Sequence, residues 1–141
     1  ISKAHLPIFE SMVDIDPGAF RKLMRLSKIE TFQTRRKLIE IGGVPDHVYY
    51  TLDGVFEISK SNHNFSVSHH SFLGEISIIG GFPATATVHC QAGAKAVVWD
   101  RKKLLSFMSK DDRFRIAIEA LFAKDMAIKL SHATRVGKSI A

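Results

Sequence analysis

Cysteine is almost missing from the chain: Cys90 stands alone, so no intramolecular disulfide can form, and a four-ligand Cys/His zinc site of the usual spacing is excluded. A reducing compartment is the simplest setting for such a sequence. Long apolar runs are also missing. Nothing approaches the roughly 18 consecutive apolar residues of a membrane helix, and no signal-peptide pattern precedes the first polar residues. With nine glycines, four prolines and no low-complexity run, the chain is neither collagen-like nor disordered. Acidic residues are the minority charge: 14 Asp and Glu face 20 Lys and Arg, a net charge of +6. That balance suits an anionic partner, whether a phosphorylated ligand, nucleic acid or a membrane surface. The 141 residues, 45% hydrophobic and 24% charged, amount to one soluble domain with a core of ordinary size. Ile1 opens the chain, and we expect it to be a piece of a longer protein, with any membrane anchor outside it.

Leu6–Leu26 reads as helix, with Asp16 as a cap, Pro17 at the first helical position, and Phe20, Leu23 and Met24 at helical spacing. The basic run Arg21, Lys22, Arg25 and Lys28 carries no interleaved aromatics and reads as a solvated face. From Ile29 to Trp99 the pattern changes to short strands: Lys37–Ile41, Val48–Leu52, Val55–Ser59, Phe65–Ser68 and Ala94–Trp99. Asp53-Gly54 carries a hairpin turn signal and Ser61–Asn64 is a second polar turn. Many short strands with no long helix between them predict a sandwich or jelly roll. The end is helical: Asp100 caps Arg101–Met108, and a longer helix runs about Asp112–His132. Along it Phe114, Ile118, Phe122, Met126 and Leu130 recur every fourth residue beside Ala117 and Leu121, a ridge able to cover the β core or to pair with its copy in a second subunit.

The stretch that carries chemistry runs from Phe72 to Val88. Gly74-Glu75 is followed by a short apolar turn, Gly80-Gly81, Pro83, and an alternating strand over Ala84, Thr85, Ala86 and Thr87. A glycine opening a helical turn exposes unpaired N–H groups that favour a phosphate, and Glu75 beside them can accept from a sugar hydroxyl. With Leu38-Ile39-Glu40-Ile41-Gly42 and Tyr49-Tyr50-Thr51-Leu52-Asp53-Gly54 upstream, this stretch resembles the cyclic-nucleotide-binding domain of catabolite activators and protein-kinase regulatory subunits. The resemblance covers about residues 6–130. It implies a β-roll with flanking helices, Glu75 on the ribose 2′-hydroxyl, Ile76 and Ser77 as amide donors to the cyclic phosphate, and Thr85 and Thr87 as hydroxyl donors. The family arginine that neutralises the phosphate is replaced by Ala84.

A closer likeness is to the Popeye branch, which binds cyclic AMP without that arginine. Val98-Trp99-Asp100-Arg101-Lys102-Lys103-Leu104 and Ala120–Leu130 resemble its Trp, basic run and Leu, followed by its apolar helix with Asp and Lys-Leu. Of that branch's Phe-Gln-Val-Thr motif only Thr87 is kept, and its Asp-Ser-Pro-Glu motif is not kept on Gly74-Glu75-Ile76-Ser77. The resemblance implies a non-catalytic cyclic AMP sensor, cytoplasmic or on the cytoplasmic side of a membrane, which signals and homodimerises through its last helix. Lys95, Arg101 or a histidine is left to replace the missing arginine.

Two other readings come from the residues. A degenerate domain with no nucleotide, acting in homodimerisation or partner docking, follows from Ala84. A cupin-like metal enzyme would use His69, His70, Glu75 and His89, but adjacent histidines on a strand point to opposite faces. We therefore expect no metal and no catalytic residue. No helix-turn-helix follows the long helix, Trp99 reads as core, and nucleic acid is not expected as a partner. Cys90 has no Ser/His/Asp arrangement around it and reads as a small buried residue.

Overall fold

Asp16 sits in extended backbone and its carboxylate accepts from the Ala19 N–H (2.9 Å), so a helix starts after it. The cap divides the predicted Leu6–Leu26 helix in two: α1, Leu6–Ser11, and α2, Pro17–Arg25. This computed structural model describes residues 1–12, 14–67 and 70–136, with helical backbone alone over 130–136. Ser68 and His69 therefore lie outside the described residues, as does the Leu130 side chain.

Eight strands follow: β1 Ser27–Thr31, β2 Arg36–Ile39, β3 His47–Asp53, β4 Phe56–Lys60, β5 His63–Val67, β6 Phe72–Leu73, β7 Thr87–Cys90 and β8 Lys95–Asp100. All pairings are antiparallel, in two four-stranded sheets ordered β1-β8-β3-β6 and β2-β7-β4-β5. The single turn α3, Ile76–Ile79, separates β6 from β7, and α4, Arg101–Lys110, and α5, Asp112–Val136, close the chain. This is the expected jelly roll with helices at both ends.

Asp53-Gly54 is not a hairpin turn, because β3 and β4 belong to different sheets. Gly54 turns the corner between them at φ +79°, and a Cβ there would lie 2.6 Å from the Ala94 Cα, so close backbone packing demands glycine. The two-residue hairpin is Ser61-Asn62, with φ +45° and +69°, joining Lys60 of β4 to His63 of β5.

Alternation along β3 and β8 sends successive side chains to two cores. Val48, Tyr50, Val97 and Trp99 face the helices, against Phe20, Leu23, Leu104, Phe114, Ile118 and Phe122. Tyr49 and Ala96 point between the sheets, with Phe56, Ile58, Leu73, Val88 and Cys90. Trp99 is fully buried and its indole N–H donates to the Leu23 carbonyl (2.8 Å). The basic face of α2 is solvated except where Lys22 pairs with Asp111 (2.7 Å). Asp100 caps α4 by accepting from the Lys103 N–H (2.9 Å).

The ridge of α5 is covered by the chain itself at Phe114, Ile118, Leu121 and Phe122, while Met126 is half-buried. Packing within one chain thus accounts for its first half, and among its described residues Ile116 and Ile128 are the exposed large hydrophobics. Among the described residues no helix is long and apolar enough to cross a membrane.

Candidate functional site

The turn after β6 depends on Gly74. Its φ of +90° carries the chain out of the sheet, and a Cβ there would meet the His47 carbonyl oxygen at 3.2 Å and Ile39 at 3.4 Å. Ser77 closes the turn: its hydroxyl donates to the Gly74 carbonyl (2.8 Å) and its N–H reaches the same oxygen at 3.3 Å. Ile78 and Ile79 donate to the Glu75 carbonyl (2.9 and 3.1 Å). The Ile76 N–H has no protein acceptor among the described residues. Residues 74–77 therefore curl as the sequence predicts.

The chain returns over Gly80-Gly81, with Phe82 exposed, and is stitched to the loop between β2 and β3. The Ala84 N–H donates to the Gly43 carbonyl and the Gly42 N–H to the Ala84 carbonyl, both at 2.8 Å. The Ile41 N–H donates to Thr87 Oγ1 (3.0 Å). That loop joins the two halves of the cassette, since Gly74 packs on Ile39, Pro45 and His47 while Ala84 pairs with Gly42 and Gly43. Ala84 and Ala86 are buried; Ile76, Thr85 and Thr87 are half-buried.

Glu75 is placed differently from the expectation of an open carboxylate beside a sugar site. It is 0% exposed, and its Oε1 accepts from Lys129 Nζ of α5 at 2.8 Å. Lys129 also lies 3.0 Å from Asp125 Oδ2 and donates to the Phe72 carbonyl, while Asp125 Oδ2 accepts from the Phe72 N–H (3.3 Å). Through this pair α5 grips both backbone groups of Phe72 and the acid three residues on. Burial pushes the Glu75 carboxyl up to about 7, against the pull of Lys129 and with the help of Asp125. Burial also raises Asp125. For Lys129 burial works downward, but the two carboxylates outweigh it and hold the ammonium above its usual range. Two carboxylates thus share one cation, and Glu75 Oε2 is buried with no hydrogen-bond partner.

Arg101, the first residue of α4, reaches the turn from below: Nε lies 3.2 Å from Ser77 Oγ and Nη2 donates to the Ser77 carbonyl (3.1 Å). Of the cations left open to replace the family arginine, this one is attached to the cassette. Asp125 and Lys129 entered the sequence reading as the Asp and Lys-Leu of the resemblance, with no site role; their i, i+4 spacing within an apolar helix is the signal that could have marked one.

The metal reading finds little to hold it. Glu75 faces Lys129, His70 (φ +57°) stacks near Tyr50 at 6.2 Å, and His69 lies outside the described residues. Among the described residues no three His, Cys, Asp or Glu side chains converge as a metal site. Cavities of about 200 Å³, beside Ile39, Glu40, Gly43 and Pro45, and about 100 Å³, beside Tyr50, His70, Phe72 and Asp125, flank the cassette.

Residues 29–111 match the family model of the cyclic nucleotide-binding domain. No curated protein matches the chain. Among solved structures, it is similar to Sp-2Cl-cAMPS bound to PKAR CBD2, at 22% identity and TM-score 0.68 over 94% of this chain and 86% of that one. It is also similar to a putative cyclic nucleotide-binding protein of Geobacter metallireducens, at 16% identity and TM-score 0.76 over 92% and 98% of the two chains. A cyclic nucleotide-binding domain of Methylobacillus flagellatus gives 16% identity and TM-score 0.73 over 96% and 86%. These likenesses concern the fold.

Proposed function

The chain belongs to the cyclic nucleotide-binding domain family, and we propose that it is a non-catalytic cytoplasmic sensor of cyclic AMP whose last helix is released by the ligand. The observation that carries this reading is Glu75: a buried carboxylate at the head of the cassette, one oxygen held by α5 through Lys129 and the other without a partner. A ribose hydroxyl donating to Glu75 satisfies the orphaned oxygen and competes with Lys129, so occupancy loosens the grip of α5 on Phe72 and Glu75. The phosphate is received by the Ile76 amide, by the Ser77 amide once it gives up its long bond to the Gly74 carbonyl, and by Thr85 and Thr87; the Thr87 hydroxyl, which accepts from Ile41, keeps its own proton to donate.

Ala84 lowers the affinity. A charge-assisted bond contributes about 1.5–3 kcal/mol, so its loss weakens binding roughly 10- to 100-fold unless Arg101 turns from Ser77 to the phosphate. The Popeye refinement rests on Ala84 and on the segments 98–104 and 120–130; of these, Trp99 and Leu104 are fully buried and are accounted for by packing alone.

Calorimetric titration of cyclic AMP tests the proposal. Saturable one-to-one heat that Glu75→Gln reduces at least tenfold is the expected result. No heat, with a mass that rises with concentration, favours the second reading, a nucleotide-free domain acting in homodimerisation, for which the clamped Glu75 and Ala84 speak.

A further inference from the structure

One end of the roll holds a cavity of about 430 Å³ walled by β1, β2, β3, β8 and the start of α4, and by none of residues 74–87. We propose that this cavity binds a small organic anion, a carboxylate or phosphate ester on an apolar body, with the Tyr49 hydroxyl donating to its charged head.

Tyr49 carries the argument. It lines the cavity and is 3% exposed as a residue, and its hydroxyl is not one of the buried polar atoms left without a partner, so it opens into the cavity. The cavity therefore presents a phenolic donor that a ligand oxygen can take over from water. Burial, against the opposing pull of Arg36, raises the phenol to about 12, which keeps it a donor across the physiological range.

Three cations against two acids leave the lining with a positive excess, the matching sign. Arg36, Lys28 and Lys103 contribute three permanent cations. Arg36 lies 5.1 Å over the Phe32 ring and 3.8 Å from Glu30, whereas neither lysine ammonium has a carboxylate within ion-pair distance among the described residues. The two acids at the rim are already engaged, Glu30 by Arg36 and Asp100 by the Lys103 N–H. His47, 6.2 Å from the Tyr49 ring, adds a further polar group. Leu26, Ile29 and Val98 supply the apolar wall, which an inorganic ion leaves unused. The volume falls within the range of about 300–1,000 Å³ usual for small-molecule sites.

The test titrates the isotopically labelled chain with benzoate and, separately, phenyl phosphate, following backbone amide shifts. Saturable shifts at Lys28, Tyr49 and Val98 are expected with at least one probe, and which probe saturates identifies the head group. The dissociation constant is expected to rise at least tenfold in Tyr49→Phe and in Arg36→Gln, and to stay unchanged in Arg21→Gln, which removes a cation of α2 remote from the cavity. Shifts that stay linear, saturation centred on residues 74–87, or equal affinity in Tyr49→Phe would overturn the proposal.

Discussion

Replacing Glu75 by glutamine keeps the shape of the side chain and removes its titration. The folded carboxyl holds its proton up to about 7, against an ordinary value of 4.5. Between those values the folded state binds more protons than the unfolded state, so the stability that the acid contributes is fully present below 4.5 and is lost as pH rises through 7. Each tenfold change in proton affinity is worth about 1.4 kcal/mol, and the whole window amounts to about 3 kcal/mol. Asp125 and Lys129 face Glu75 from α5 and remain in both proteins, and the seven histidines cancel in the difference. Urea unfolding of parent and Glu75→Gln, followed by Trp99 fluorescence between about pH 5 and pH 8, is expected to show the variant gaining about 2–3 kcal/mol relative to the parent as pH rises. A difference that stays flat refutes the reasoning, because it means the carboxylate is ionised in the folded state throughout.

Gly54→Ala is expected to destabilise by about 1–3 kcal/mol, from the positive φ together with the 2.6 Å approach to Ala94. Gly42→Ala, at φ +83° with nothing within 4 Å, should cost only about 1 kcal/mol, and thermal melts of the two separate crowding from conformation. Trp99→Phe removes the indole donor, leaving the Leu23 carbonyl only the longer bond from the Leu26 N–H, and opens space in the helix-side core, lowering the urea midpoint by the equivalent of about 2–3 kcal/mol.

The roll was legible because its determinants are local. Short apolar segments gave β3 and β8, Asp100 capped α4 as expected, and the Gly74 turn forms where a glycine precedes an apolar helical turn. The Asp53-Gly54 corner was misread because a hairpin and a sheet change ask the same backbone freedom of glycine; only the packing of Ala94 against it tells them apart. In the same way Asp16 marked a cap correctly, yet its consequence, a break between α1 and α2, was passed over. The turn after Gly74 was legible, but the orientation of Glu75 was not, since it is fixed by Lys129, 54 residues further along. Arg101 was one of the cations left open for the phosphate, but that the end of β8 carries it to Ser77 was not legible. Long-range side-chain partners leave no periodic trace in a sequence, and they are what was missed.

The central claim, that residues 74–77 and 84–87 hold a cyclic nucleotide, is tested most directly by titrating cyclic AMP into the chain and into its Ala84→Arg variant side by side. A guanidinium restored beside the phosphate should tighten the dissociation constant at least tenfold, as a charge-assisted bond of about 1.5–3 kcal/mol requires. Identical affinities, or no binding by either protein, would contradict the account.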